Sequence, residues 1–340
     1  MKSIVIIGAS GHWPYAIRGL GAYADARLVG IAPGLAEETD QVKTTFKDQL
    51  SAGVPFFADH TTMLDQIRPD VAVINPYFYL NGPITIQCLE RGIHCYTEKP
   101  LTFYREELDT IKALISEKGL RLSTMLAYRY RPAFQAVVQA VKEGRIGAPI
   151  QIAAQKSYKS GPKPEWQHRR SQFGGLIGWV GSHALDWINW VTDNGVGEVM
   201  ALETTRDNHG NGEMESSAIV MMRLDNGGQA AANIDYLRPR GADSHGDDRL
   251  RIAGGKGVVE VLNGQAKLLT HDHGEEELPL EEPLEMFAEF LKTIGAPSHP
   301  YRQTHEDVFA LTELCIRAQE AADAAGASQR GRFHFPLPAN

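Results

Sequence analysis

Residues 3–13 read Ser3-Ile4-Val5-Ile6-Ile7-Gly8-Ala9-Ser10-Gly11-His12-Trp13. The run 4–7 is wholly apolar and β-branched, the pattern of a strand buried on both faces of a parallel sheet. A glycine turn follows, then a helical stretch from Tyr15 to Tyr23. Strand, glycine turn and helix are the context of a dinucleotide phosphate site, in which turn glycines let the backbone approach a pyrophosphate at the helix N-terminus. Gly8, Ser10, Gly11, His12 and Trp13 are therefore cofactor-binding candidates. The match to G-x-G-x-x-G is partial, with Ser10 at the second glycine and Trp13 at the third.

Working outward, Arg27–Ala32 reads as a second strand. The acid expected near its end for a ribose hydroxyl is absent, since the chain continues Pro33-Gly34 and Glu37, Glu38 and Asp40 come later. No arginine stands there for a 2′-phosphate, so NAD and NADP both stay open. Further strands are expected at 54–57, 71–74, 94–97 and 120–125, separated by helices at 84–91 and 102–119. This alternation predicts a doubly wound α/β unit over residues 1–123.

The strand at 94–97 runs into Glu98-Lys99-Pro100. Ligands of open parallel sheets bind beyond the carboxyl ends of the strands. A lysine there can hydrogen-bond a substrate hydroxyl and ease its deprotonation.

Totals narrow the field. A net charge of -8 argues against a nucleic-acid partner. Three cysteines, Cys88, Cys95 and Cys315, form no CxxC pair, which suits a reducing cytoplasm and no metal site. Neither a signal peptide nor a membrane span is expected.

With these motifs placed, the chain resembles the Gfo/Idh/MocA family, named for glucose–fructose oxidoreductase, inositol dehydrogenase and MocA. The resemblance rests on Glu98-Lys99-Pro100, on Asn75-Pro76 one strand earlier, and on Arg129-Tyr130-Arg131-Pro132. Gly174-Gly175, then His183 and Asp186, and Ile252-Ala253-Gly254-Gly255-Lys256-Gly257 extend it. It implies a Rossmann dinucleotide-binding domain followed, over 124–340, by an α+β domain with a large, mostly antiparallel open sheet. That sheet often serves oligomerisation, so a homodimer or homotetramer is implied. It also implies NAD- or NADP-dependent hydride transfer to or from a secondary alcohol of a sugar, inositol or related polyol. Asn75, Pro76, Glu98, Lys99 and Pro100 then touch the cofactor, and Arg129 the substrate. The chain departs from the family in several places: Leu80 and Asn81 stand where a histidine is usual, Ala127 where an asparagine is frequent and, most important, where the pattern is Asp-x-x-x-His-x-x-Asp it reads Trp179 to Asp186 with tryptophan first.

In the second unit, the loop 160–171 is rich in Pro, Lys and Arg and is placed over the substrate. Trp166 could cover the C–H face of a sugar ring, and Arg169 could bind a hydroxyl or carboxylate. His183 and Asp186 are three apart and share one face of a helix. His183 is the candidate base, working near its ordinary pKa. Asp186 would steer imidazole or substrate, Lys99 would polarise the same oxygen, and Trp179 would form an apolar wall. Two further readings follow from the resemblance: glycoside cleavage by transient oxidation on retained NAD, and a non-catalytic dinucleotide-binding regulator.

Overall fold

The computed structural model describes residues 1–296 and 298–329; residues 330–340 of the expected second domain lie outside them. Five strands, β1 (Lys2–Ile7), β2 (Ala26–Ala32), β3 (Val71–Ile74), β4 (His94–Thr97) and β5 (Leu122–Thr124), form one parallel sheet in the order β2-β1-β3-β4-β5. The four residues of β3 and the last four of β1 are buried, as the apolar runs require. Helices cover both faces: α1 (Pro14–Gly21), α2 (Thr39–Thr45), α3 (Lys47–Ser51), α4 (His60–Ile67), α5 (Asn81–Glu90) and α6 (Arg105–Lys118). The order reverses between β1 and β3, so the ligand crevice of such a sheet falls beyond their carboxyl ends.

The expected strand at 54–57 is not formed. Phe56 makes only an isolated parallel bridge to Ile31, so this sheet has five strands and not six. Only Ala52 and Gly53 separate Val54 from α3, and the Val54 amide still donates back to the Gln49 carbonyl, which leaves little extended chain for a ladder.

Beyond β5 the chain continues as α7 (Pro132–Lys142), β6 (Pro149–Lys159), α8 (Arg170–Phe173), α9 (Ser182–Val191), β7 (Val196–Thr204), β8 (Ser217–Leu224) and β9 (Gln229–Arg238). Then come β10 (Gly246–Gly254), β11 (Gly257–Leu262), β12 (Gln265–Thr270), β13 (Glu276–Glu277), α10 (Met286–Thr293) and α11 (His305–Gln329). The strands form an eight-stranded sheet, β13-β12-β11-β10-β6-β9-β8-β7, antiparallel except for the β6–β9 pair. Burial alternates along β8 and β9, so one face packs and the other is open. The packed face carries Ile152, Ala154, Val220, Ala232 and Ile234 against Leu185, Ile188 and Leu314 of α9 and α11.

The sequence division at 123 does not describe the packing of α10. Phe287 and Phe290 stack on Tyr96 of β4 at ring separations of 4.8 and 5.3 Å, in a cluster with Ile4, Ile6 and Ala16. Gly19 of α1 makes this possible, because a side chain there would collide with Phe287 and the backbone of Ala288. The first unit is therefore completed by residues from near the end of the chain.

Candidate active site

The turn after β1 is built for close approach. Gly8 and Gly11 have φ of +78° and +76°, a region that side chains rarely occupy. A Cβ on Gly8 would strike the Asn75 carbonyl, and one on Gly11 would strike the Glu98 carboxylate. The Ser10 amide donates to the Asn75 carbonyl at 2.7 Å, which ties this turn to the end of β3. The first residue of α1 is Pro14, which has no N–H, and the amides of Tyr15 and Ala16 donate to the carbonyls of His12 and Trp13 at 3.0 Å. Ser10 Oγ and both polar side-chain atoms of Asn75 are buried without hydrogen-bond partners among the described residues. Buried polar groups ordinarily have partners. Orphaned atoms at this crevice fit a dinucleotide, which Gly8, Ser10, Gly11 and Asn75 would hold. Gly11→Ala is expected to weaken dinucleotide affinity about tenfold or more, because strain of ~1–2 kcal/mol at positive φ adds to the clash with Glu98. Quenching of protein fluorescence by NADH or NADPH checks this; unchanged affinity would show that the turn does not carry the cofactor.

Beyond β4, Glu98 is fully buried beneath this turn. Its carboxylate accepts from the backbone amides of His12 and of Lys99 (the latter at 2.8 Å), and lies 3.0 Å from His12 Nδ1. The Lys99–Pro100 peptide is cis. The Lys99 ammonium donates to the Trp179 carbonyl and lies 3.4 Å from the centre of the Trp179 ring. Burial pushes its pKa down to about 7, Glu98 opposes that shift, and Lys156 reinforces it. Lysine is thus poised between ammonium and amine near neutrality.

Trp179 lies in a wide π-helical turn, Ile177–Gly181, that leads into α9. Such turns are frequent at functional sites. Its ring stacks on Phe78 at 3.9 Å and faces His12 at 5.5 Å. Trp166 extends the same aromatic stack, 4.6 Å from Tyr77 and 4.9 Å from Phe78. The tryptophan thus closes over Lys99 where the family pattern has a carboxylate.

His183 is buried, its ring 6.2 Å from His12 and 4.9 Å from Tyr128. The expectation of an ordinary pKa does not hold: burial, then Lys99, Lys156, His12 and Arg131, hold it well below the usual histidine range. A neutral imidazole results, and its Nδ1 has no partner among the described residues.

Three expected site residues lie elsewhere. Asp186 faces Arg129 and not His183. The pair is bidentate, with Arg129 Nη2 and Nε at 2.8 and 3.0 Å from Oδ1, and both side chains are buried. Arg129 also binds Asp307 of α11 at 3.0 Å and the Arg302 carbonyl at 3.1 Å. Its guanidinium is consumed by the protein, which leaves little for a substrate. Arg169 is 64% exposed and only approaches Glu165 at 3.8 Å; its neighbour Arg170 instead ties Glu203, Glu215 and Asp323 together. A cavity of about 780 Å³ opens beside Arg129, Trp190 and Tyr301, but neither Lys99 nor His183 lines it.

Sequence reading missed a second buried lysine. Lys156 of β6 donates to Tyr128 Oη and Asp248, and lies 4.3 and 4.2 Å from the ring centres of Tyr128 and Tyr158. Burial lowers its pKa to about 8, against the pull of Asp248. One signal was available. Ile152, Ala154 and Lys156 alternate toward the packed face of β6, so a lysine occupies an inward position. Phe78 carried no comparable signal, because its stacking partners lie about 90–100 residues away.

Comparisons with known proteins agree with this architecture. The model of the oxidoreductase family with an NAD-binding Rossmann fold matches residues 2–126, and that of the GFO/IDH/MocA C-terminal domain matches 134–260. A solved structure of an oxidoreductase from Thermotoga maritima shares 37% identity, covers 95% of this chain and 98% of its own, and superimposes with a TM-score of 0.89. Among curated proteins, 1,5-anhydro-D-fructose reductase from Ensifer adhaerens is 24% identical over 77% of this chain and 80% of its own. The NADP(+)-dependent scyllo-inositol 2-dehydrogenase IolW of Bacillus subtilis is 25% identical over 45% of this chain. The alignments span only 33% and 41% of the length of two of the curated relatives. The full-length likeness in sequence and fold and the two matched domains make the conclusion direct: the chain belongs to the Gfo/Idh/MocA family of oxidoreductases.

Proposed function

We propose that the protein is an NAD- or NADP-dependent oxidoreductase that moves a hydride between nicotinamide and a secondary alcohol or ketone of a sugar, inositol or related polyol. The observation that carries this reading is the meeting of Lys99, Trp179 and His183 with the glycine turn at one crevice. The names of the curated relatives, an inositol dehydrogenase and an anhydrofructose reductase, support the substrate class. An oxidoreductase from Agrobacterium radiobacter, solved with NAD+ and L-tartaric acid, shares the fold with a TM-score of 0.75.

A bound nicotinamide dinucleotide supplies the hydride acceptor. The protein supplies the rest. Lys99, held against the Trp179 carbonyl, donates a hydrogen bond to the reacting oxygen. An imidazole of the crevice takes its proton; His183 is one of two there, neutral and with Nδ1 unpartnered among the described residues. The stacked rings of Phe78, Trp166 and Trp179 exclude water and present apolar faces to C–H groups. Titration with NAD(H) and NADP(H), then a polyol screen at the nicotinamide absorbance band, tests the reading. Failure of both dinucleotides to bind would sink it.

The occupant proposed for the open sheet face is a second copy of the chain, giving a homodimer or homotetramer. On that face Met200 pairs with Met221 and Leu202 with Ile219, all between 44% and 61% exposed. Contiguous apolar patches of this kind mark association surfaces. Met200→Glu with Ile219→Lys is expected to convert the assembly to monomer in sedimentation velocity. A wild-type chain that sediments as a monomer at micromolar concentration would overturn the assignment.

A further inference from the structure

We propose that His12, held by Glu98, is a catalytic proton acceptor of this site and not only a part of the phosphate turn; this rests on the hydride-transfer reading above. Two imidazoles reach the crevice, and only one has a carboxylate behind it. Both Glu98 oxygens lie 3.0 Å from His12 Nδ1. Each of those oxygens also accepts a backbone amide, so the carboxylate is the acceptor toward the ring, Nδ1 carries the hydrogen and Nε2 carries the lone pair. Glu98 itself is fixed, since it is buried and receives the His12 and Lys99 backbone amides. Gly11 permits this, because any side chain there would occupy the space of the carboxylate.

This is the base–orienter arrangement of general base catalysis, in which a carboxylate sets the tautomer and stabilises the imidazolium that forms. His183 lacks it. The carboxylate of Asp186 is taken by Arg129, and position 179 is tryptophan. His12 also keeps a route for the proton to leave, since its side chain is 30% exposed while His183 is buried. Its ring lies 6.2 Å from His183 and 5.5 Å from Trp179, within the same crevice as Lys99. The titratable and charged groups around it are Glu98 and Lys99 beyond β4, Tyr15 of α1 with Arg18 over its ring, His183 of α9, and Arg131 beyond β5.

In the oxidative direction the substrate O–H bond breaks and its proton passes to His12 Nε2. The adjacent C–H bond breaks and its electron pair leaves as hydride to the oxidised nicotinamide. The carbon becomes a ketone, the dinucleotide is reduced by two electrons, and the imidazolium is neutralised by Glu98 until its proton passes to water.

The test has two arms. In the first, 15N-histidine-labelled protein without dinucleotide is read by long-range proton–nitrogen NMR, with His12→Gln assigning the resonance. The expected result is the Nδ1–H tautomer for His12, lost in Glu98→Gln; an Nε2–H tautomer overturns the proposal. In the second, His12→Gln keeps a hydrogen bond to Glu98 but no titrating ring. Its kcat is expected to fall about 10²-fold, with NADH or NADPH affinity within about threefold and one ionisation removed from the pH–kcat profile. An unchanged kcat, or an equal loss of affinity and kcat, overturns the proposal and leaves the dehydrogenase reading standing. If the wild type binds neither dinucleotide, that reading fails, while the tautomer result still decides how His12 is held.

Discussion

Lys99→Met is expected to lower kcat by about two to four orders of magnitude, the range for removing a group that acts on the proton in flight, and to leave the fold at least as stable as before. The first effect follows from position. Lys99 lies beyond β4, against the Trp179 ring and carbonyl and in the crevice shared with His12 and His183. The second follows from burial. Glu98 stands next in sequence but spends its carboxylate on His12 and on backbone amides, so the ammonium is buried without an ion pair among the described residues. Burying such a charge costs free energy that methionine avoids at similar volume. The folded-state pKa is depressed to about 7 from the ordinary lysine value of 10.5. Between those two values the unfolded chain binds a proton at Lys99 that the folded chain does not. Stability therefore rises with pH across that window, and the full cost of the buried charge is present below about pH 7. Lys99→Met should remove this slope, so its gain in Tm is largest near pH 6 and vanishes toward pH 10. Thermal melts across that range, with kcat and dinucleotide affinity measured beside them, check both halves. Equal losses of turnover and affinity would make Lys99 a cofactor ligand, and a lowered Tm at pH 6 would contradict the burial argument.

Asp186→Ala is expected to cost about 3–5 kcal/mol of stability, because it leaves the Arg129 guanidinium buried with one of its two carboxylate partners gone. Asp186 on α9 and Asp307 on α11 clamp Arg129 from the segment that follows β5. That segment is where the chain passes from the first sheet toward the second, so the clamp fixes the junction of the two halves. Urea unfolding should show the loss in the midpoint. Turnover per folded molecule should change far less than in Lys99→Met. A specific fall in kcat with the midpoint unchanged would return Asp186 to the role the helix spacing suggested.

That correction shows where sequence reading stops. Spacing within one element is local, so the placement of β1, the glycine turn and Lys99 at a strand end could be read directly. Side-chain pairing across elements is not local. Glu98 and His12 are 86 residues apart, Arg129 and Asp186 are 57 apart, and Lys156 and Asp248 are 92 apart. Sharing a helix face put His183 and Asp186 together on paper, but Arg129 competed for the carboxylate and won through a bidentate, charge-assisted geometry. The same blindness explains His183, whose pKa is lowered first by burial and then by Lys99 beyond β4 and Lys156 on β6. The strand expected at 54–57 stops at a single bridge to Ile31 of β2, since local β-propensity does not tell how far a pairing extends.

The packing of α10 on α1 and Tyr96 has a consequence for dissecting the protein. The dinucleotide half is discontinuous in the chain, with its second portion lying beyond the whole eight-stranded sheet. A fragment ending at residue 123 would leave Ile4, Ile6 and Tyr96 without the cover of Phe287 and Phe290. After α10 the chain passes back once more, since α11 packs through Leu311, Leu314 and Cys315 on the eight-stranded sheet's core and through Val308 and Ile316 on the dinucleotide half.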